Sequence, residues 1–201
     1  SPQDVRTGGL RARFDAIVLP SASSQSLTQG MAADEAPAPY AGGLGDDGLQ
    51  ALDAFVRGGG TLICLDEATE LAIDLFKLPI KDVGREAGDK LLAPGTIVHI
   101  DVDQQDPLGY GLPARTSGVF TSSAAYDVGP APTVRTAVRY ARQDLLVSGL
   151  LSGAEVIQGK PAVVSASVGS GRVVLLGFRV QHRAQSLATF RLLFNAIFLS
   201  R

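Results

Sequence analysis

One junction constrains the fold more than any other stretch of the chain. Asp46 and Asp47 open a segment in which Leu49, Leu52, Phe55 and Val56 recur at helical spacing, and Gly58-Gly59-Gly60 ends it. Aspartates favour the positive end of a helix, and glycine accepts the left-handed cap that closes one. The apolar run Thr61-Leu62-Ile63-Cys64-Leu65 follows at once. A short continuous apolar run of this kind is a strand covered on both faces. Upstream, Asp15-Ala16-Ile17-Val18-Leu19-Pro20 has the same character. Downstream, Glu67 to Leu78 is expected to be a second helix, with Leu71, Leu75, Phe76 and Leu78 inward and Pro79 as its stop. Strand, helix, strand, helix in this order predicts a parallel sheet with crossover helices, hence an α/β fold.

The second half changes period. Thr96–Val102, Gly118–Ser122, Thr133–Tyr140, Ala162–Val168 and Arg172–Phe178 are expected strands. Gly169-Ser170-Gly171 is the turn of a hairpin, where glycine supplies positive φ. Gln185 to Leu199 closes the chain as a helix whose expected core face is Leu187, Phe190, Leu193, Phe194 and Ile197. Ser21 to Gly45, rich in Ala, Ser, Gly and Pro, is expected to be a long surface loop. A length of 201 residues with 45% hydrophobic content suits one domain, so residues 1–201 are taken as a single unit. A net charge of −2 with no Lys/Arg block argues against a nucleic-acid partner. The least charged stretch, Ala16 to Ala33, is broken by Pro20 and filled with Ser and Gln, so no membrane span is expected.

Candidate chemistry is sparse. Two histidines, His99 and His182, lack the spaced partners of a zinc site, so no metal or other cofactor is expected. His99, Asp101 and Asp103 alternate and would share one strand face, more consistent with a solvated edge than with a cation site. Gly43-Leu44-Gly45-Asp46-Asp47-Gly48 matches a dinucleotide fingerprint in letters. A Pro-rich loop rather than a strand precedes it, and two aspartates stand where a pyrophosphate would lie. Cys64 is the one candidate nucleophile, with His182 as a base. It lies inside an expected strand, flanked two positions away by Leu62 and Asp66 rather than by the small residues of an elbow, so a buried, inert thiol is expected. Arg179, Arg183 and Arg191 are candidate contacts for an anion or a partner's carboxylate.

Phe14-Asp15-Ala16-Ile17-Val18-Leu19-Pro20 with Phe55-Val56-Arg57-Gly58-Gly59-Gly60-Thr61-Leu62 resembles the glutamine-amidotransferase-like fold in its non-catalytic versions, such as the trimerisation domain of some β-galactosidases. Two further stretches resemble the C-terminal amidotransferase-like domain of bacterial zinc carboxypeptidases. One is Pro94-Gly95-Thr96 with Asp103 to Pro113. The other runs from Ser148 to Glu155, then through Gly169 to Phe178 and Gln181-His182-Arg183 to Ala196. The resemblance implies a flavodoxin-like, class I amidotransferase-like parallel sheet with an added β portion. It implies an accessory, non-catalytic role in docking, oligomerisation or substrate positioning, with an upstream peptidase domain as partner and a homo-oligomer as an option. It also implies a secreted or periplasmic setting. The family's catalytic residues do not carry over: Cys64 lacks the elbow, and Ala184 stands where a glutamate would orient His182. Only 14 residues precede the first strand, so the first βα unit of the fold is expected to be missing. A small hydrolase or amidotransferase using Cys64 and His182, or a peptide- or glycan-binding module, are the competing expectations.

Overall fold

The computed structural model describes residues 1–32 and 34–200. Ser1 caps a short helix α1 (Pro2–Arg6), and a single 3₁₀ turn leads into strand β1 (Ala16–Leu19). The expected loop then holds a helix of its own, α2 (Ser24–Gln29), capped by Ser23, whose hydroxyl accepts from Ser26 N. Its polar sequence, Ser-Gln-Ser-Leu-Thr-Gln, carries almost no apolar periodicity, so only the cap betrays it. Helix α3 (Gly45–Arg57), strand β2 (Thr61–Leu65) and helix α4 (Ala68–Leu75) follow as the sequence leads one to expect.

The chain then leaves the sheet. Strand β3 (Ile80–Asp82) and helix α5 (Val83–Glu86) form a side excursion, and β3 pairs with the distant β6 (Tyr126–Val128) in a separate two-stranded ribbon. Between them run β4 (Pro94–Val102) and β5 (Arg115–Thr121). The remaining strands are β7 (Val134–Tyr140), β8 (Leu146–Ser148), β9 (Pro161–Val168) and β10 (Gly171–Leu176), and α6 (Leu187–Phe198) is the last helix.

The main sheet runs β1-β2-β10-β9-β7-β4-β5, with β8 also on β4. β1 and β10 both lie parallel to β2, with Leu19 opposite Cys64 and Leu176 opposite Leu65. From β10 onward all pairings are antiparallel, beginning with the hairpin to β9. That hairpin turns on Gly169 at φ 58. Gly171 is fixed by crowding instead: a Cβ there would fall 2.0 Å from Val56 O. The sheet is thus parallel in its first third and antiparallel beyond.

Alternation along the central strands divides the core in two. Leu62, Cys64, Val173 and Leu175 face α3 and α4, packing on Leu52, Phe55, Leu71 and Ala72. Ile63, Leu65, Val174 and Leu176 face the other way, toward Leu192 and Ala196 of α6. The antiparallel strands add Val98, Ile100, Phe120 and Tyr140 to that second cluster. Phe120 and Tyr140 meet edge to face, ring centres 5.4 Å apart.

α6 departs from expectation. Its buried residues are Thr189, Leu192 and Ala196. Of the expected core face Leu193 packs against the core and Phe190 is half-buried, whereas Leu187, Phe194 and Ile197 are exposed. Both faces of this helix are apolar, so periodicity could not say which one meets the sheet.

Candidate functional site

The three parallel strands end together, and the residues just beyond them come from three distant parts of the chain. Ser21 follows β1, Asp66 follows β2 and Arg179 follows β10. In open α/β sheets this edge is where ligands bind. Here its centre is Asp66, 1% exposed and at φ 51 on the turn from β2 into α4. Aspartate is among the few non-glycine residues that visit this region with any frequency. The turn is pinned by Asp66 N–H donating to Leu176 O at 2.8 Å and by Thr69 Oγ1 donating to Asp66 O at 2.6 Å.

The Asp66 carboxylate is held from several sides. Ser21 Oγ donates to Oδ2 at 3.0 Å and Arg179 Nε donates to the same oxygen at 2.9 Å. Arg85 Nη2 stands 3.5 Å from Oδ1. Arg85 is itself shared: its Nε lies 3.5 Å from Asp82 Oδ2, and Nη1 donates to Glu67 O at 3.4 Å. Arg179 Nη2 also reaches Glu67 Oε1, 3.8 Å away. Asp82 caps α5 through Arg85 N at 3.2 Å and accepts from Ala125 N at 3.1 Å. Burial pushes the Asp82 carboxyl above its ordinary value, opposed by the hydrogen bond from Arg85 N, the charge of Arg85 and the bond from Ala125 N. One ionic hub therefore ties the ends of β1, β2 and β10 to the β3–α5 excursion. Beside it opens a crevice of about 370 Å³, lined among others by Ser23, Glu67, Glu70, Arg85, Phe120 and Ser122.

The residues singled out from the sequence are placed as follows. Cys64 lies inside β2, 0% exposed, its side chain in the α3–α4 face of the core. Burial pushes its thiol pKa well above the ordinary range. His182 is half-buried in a 3₁₀ turn after β10, followed by Arg183 and Ala184 at φ 50 and 55. Arg179 is engaged with Asp66 rather than free for an anion. Arg183 is exposed on the strained turn, and Arg191 lies on α6 with its guanidinium over Gly111. The three arginines therefore do not converge. Across the sheet, His99 Nδ1 sits 2.7 Å from Asp144 O, while Asp101 pairs with Arg115 at 2.6 Å and Asp103 accepts from Gln105 N. Among the described residues, no group of three or more His, Cys, Asp or Glu side chains is placed to hold a metal ion. The segment Gly43 to Gly48 leads from a loop into α3, with Asp46 and Asp47 in its first turn and no strand before it. No helix among the described residues is long and apolar enough to cross a membrane.

Asp66 was missed in the sequence. Its one signal is position: an acidic residue directly after a fully apolar strand and before a helix.

β1 occupies one edge of the sheet, pairing with β2 alone among the described residues. Along it runs a groove of about 600 Å³, lined in part by Phe14, Val18, Leu27, Met31 and Tyr40.

No protein-family model and no curated protein sequence matches the chain. Solved structures do. A Thermoplasma acidophilum protein described as part of a GMP synthase aligns with 99% of this chain and 78% of its own, at 9% identity and a TM-score of 0.56. A ThuA-like protein from Bacteroides uniformis aligns over 94% of this chain and 70% of its own, at 16% identity and a TM-score of 0.52. A β-galactosidase from Bacillus circulans aligns over 92% of this chain but only 22% of its own length, at 14% identity and a TM-score of 0.51. The fold is therefore of the class I glutamine-amidotransferase-like type, a mixed α/β sheet with an added antiparallel portion. At such identities the likeness concerns fold alone.

Proposed function

We propose that this chain is a non-catalytic amidotransferase-like domain that serves a larger protein by docking, oligomerisation or substrate positioning. The observation that carries the reading is Asp66. The strained strand-to-helix turn, where α/β enzymes of several kinds present a nucleophile, here presents a carboxylate. That carboxylate is 1% exposed and tied to Ser21, Arg179 and Arg85. A group so engaged holds strand ends together; it does not attack a substrate. The thiol two residues earlier is sealed in the core and its ionisation is suppressed, which disfavours thiolate chemistry. The resemblance of residues 94–113 and 148–196 to the C-terminal domain of bacterial zinc carboxypeptidases makes a secreted metallocarboxypeptidase the proposed parent, with its peptidase domain upstream.

A second reading rests on the crevice beside Asp66. Its serine, glutamate and arginine side chains around Phe120 suit a small polar ligand such as a peptide end or a glycan unit.

The test is an activity screen of the purified chain on glutamine, peptides and p-nitrophenyl esters, repeated with Cys64→Ala, Asp66→Asn and His182→Ala. No turnover above the buffer rate is expected. Turnover that any one of these substitutions abolishes, with the fold intact, would overturn the non-catalytic reading. Isolation of the full-length gene product decides the parent: a bound zinc and carboxypeptidase activity are expected.

A further inference from the structure

The outward face of α6 is apolar apart from Arg191 and Asn195. Leu187 is 72% exposed, Phe194 53%, Phe198 66% and Ile197 37%, with Phe190 half-buried between them. Tyr110, 74% exposed, extends the patch from the neighbouring loop. Asn195 Nδ2 ties that loop to the helix by donating to Leu108 O and Tyr110 O, at 2.8 and 2.9 Å. A surface helix with one face on the core normally turns charge to water on the other. From Leu187 to Phe198 the only charged side chain is Arg191. Its guanidinium is drawn aside over Gly111, where a Cβ would fall 2.4 Å from Nη1.

The spacing of the stripe states what fits it. Leu187, Phe190, Phe194 and Ile197 are separated by three, four and three residues. That is the a/d repeat by which one helix packs along another. The order is also palindromic about Leu192, which faces the core. An antiparallel second helix of the same sequence would set Leu187 against Ile197 of the second copy, and Phe190 against Phe194. Each large residue thus meets one of similar volume. Isologous two-fold interfaces need this self-complementarity, and a stripe shaped for a different helix would not need it. The area agrees. Taking roughly 150–250 Å² for a large side chain, the exposed parts of Leu187, Phe194, Ile197, Phe198 and Tyr110 amount to about 600 Å². That is the upper end of what a monomer leaves bare. Two such faces give about 1,200 Å², the lower end of stable interfaces.

We propose that the chain forms a two-fold dimer by antiparallel pairing of the outer stripes of α6. The dimer does not depend on whether the Asp66 crevice is catalytic. The groove along β1 is a separate surface on another part of the molecule.

The test measures the mass of the 201-residue chain by sedimentation velocity from about 1 to 200 µM. A dimer dissociating in the micromolar range is expected. Phe194→Glu should weaken it by about 100-fold or more, because two central side chains are lost per dimer. It should melt within a few degrees of the parent, since Phe194 is largely exposed. Oxidation of the Leu187→Cys/Ile197→Cys variant should give a covalently linked dimer. The two positions lie too far apart on one helix to bond within a chain. A monomer across the whole range overturns the proposal. So does a dimer that survives Phe194→Glu, which places the interface elsewhere, the β1 edge being the next surface to test. A dimer dissociated by Phe194→Glu but not joined through positions 187 and 197 overturns the antiparallel pairing.

Discussion

Replacing Asp66 tests the structural role assigned to the hub. Asp66→Asn removes the charge but keeps an oxygen able to accept from Ser21, and asparagine tolerates positive φ as well as aspartate does. What is lost is the charge on the hydrogen bond from Arg179 at 2.9 Å and on the looser ion-pair contact with Arg85 Nη2 at 3.5 Å, which is not a hydrogen bond. Hydrogen bonds to charged groups contribute about 1.5–3 kcal/mol each. The arginine side chains are 39% and 25% exposed and recover part of that from water, so the lower end applies. A loss of about 1.5–2 kcal/mol is expected, most of it from the Arg179 bond. Asp66→Ala also loses the Ser21 bond and sets an ordinary residue at φ 51, which adds about 1–2 kcal/mol. Urea unfolding at fixed ionic strength reads both. With a slope of about 2 kcal/mol per molar, the Asn variant should unfold about 1 M earlier and the Ala variant earlier still. An Asn variant within about 0.5 kcal/mol of the parent would refute the reasoning, as would an Ala variant no weaker than the Asn one.

Two other outcomes are expected. Cys64 should react with thiol reagents only as fast as the chain opens, and Cys64→Ser should cost about 1–3 kcal/mol by burying a hydroxyl among apolar groups. Labelling at the rate of a free thiol in native buffer contradicts this. Asp82, raised above 3.8 by burial, holds its proton in the folded state to higher pH than in the unfolded chain. Its contribution to stability is therefore full below 3.8 and is lost as pH rises through the folded-state value. Asp82→Asn removes that loss, so the parent should weaken relative to the variant as pH climbs from about 3.5 through the acid range, and a difference that stays flat with pH rules it out.

The parallel half of the fold was legible because its central strands are buried, β2 throughout and β10 from Val173 onward, and glycine marks their turns. β1, equally apolar in sequence, was expected to be covered on both faces but is an edge strand with Val18 exposed, because only β2 pairs with it among the described residues. The polar helix α2 and the three-residue strands β3, β6 and β8 were not legible. Too short for periodicity to register, they are held by tertiary pairing, as β3 is by β6. For α6 the sequence located the helix but, Leu193 aside, misassigned its core face, because Leu187, Phe194 and Ile197 are as apolar as Leu192 and Ala196. The site failed for a different reason. Asp66 gains its meaning from Ser21, Arg85 and Arg179, which lie 45, 19 and 113 positions away and meet it only once the sheet has formed.

The pairing of β2 with β10 also orders events in time. Thr61 lies opposite Arg172, so a strand made early in synthesis waits for one made more than a hundred residues later. Until the β9–β10 hairpin is available, β2 has only β1 beside it, and Leu62 to Leu65 keep an open flank. Contacts this distant in sequence form slowly. A nascent chain stalled before residue 161 would thus present the apolar strand β2 with one edge unpaired. The local hairpin, complete within sixteen residues, is the piece whose arrival closes the sheet.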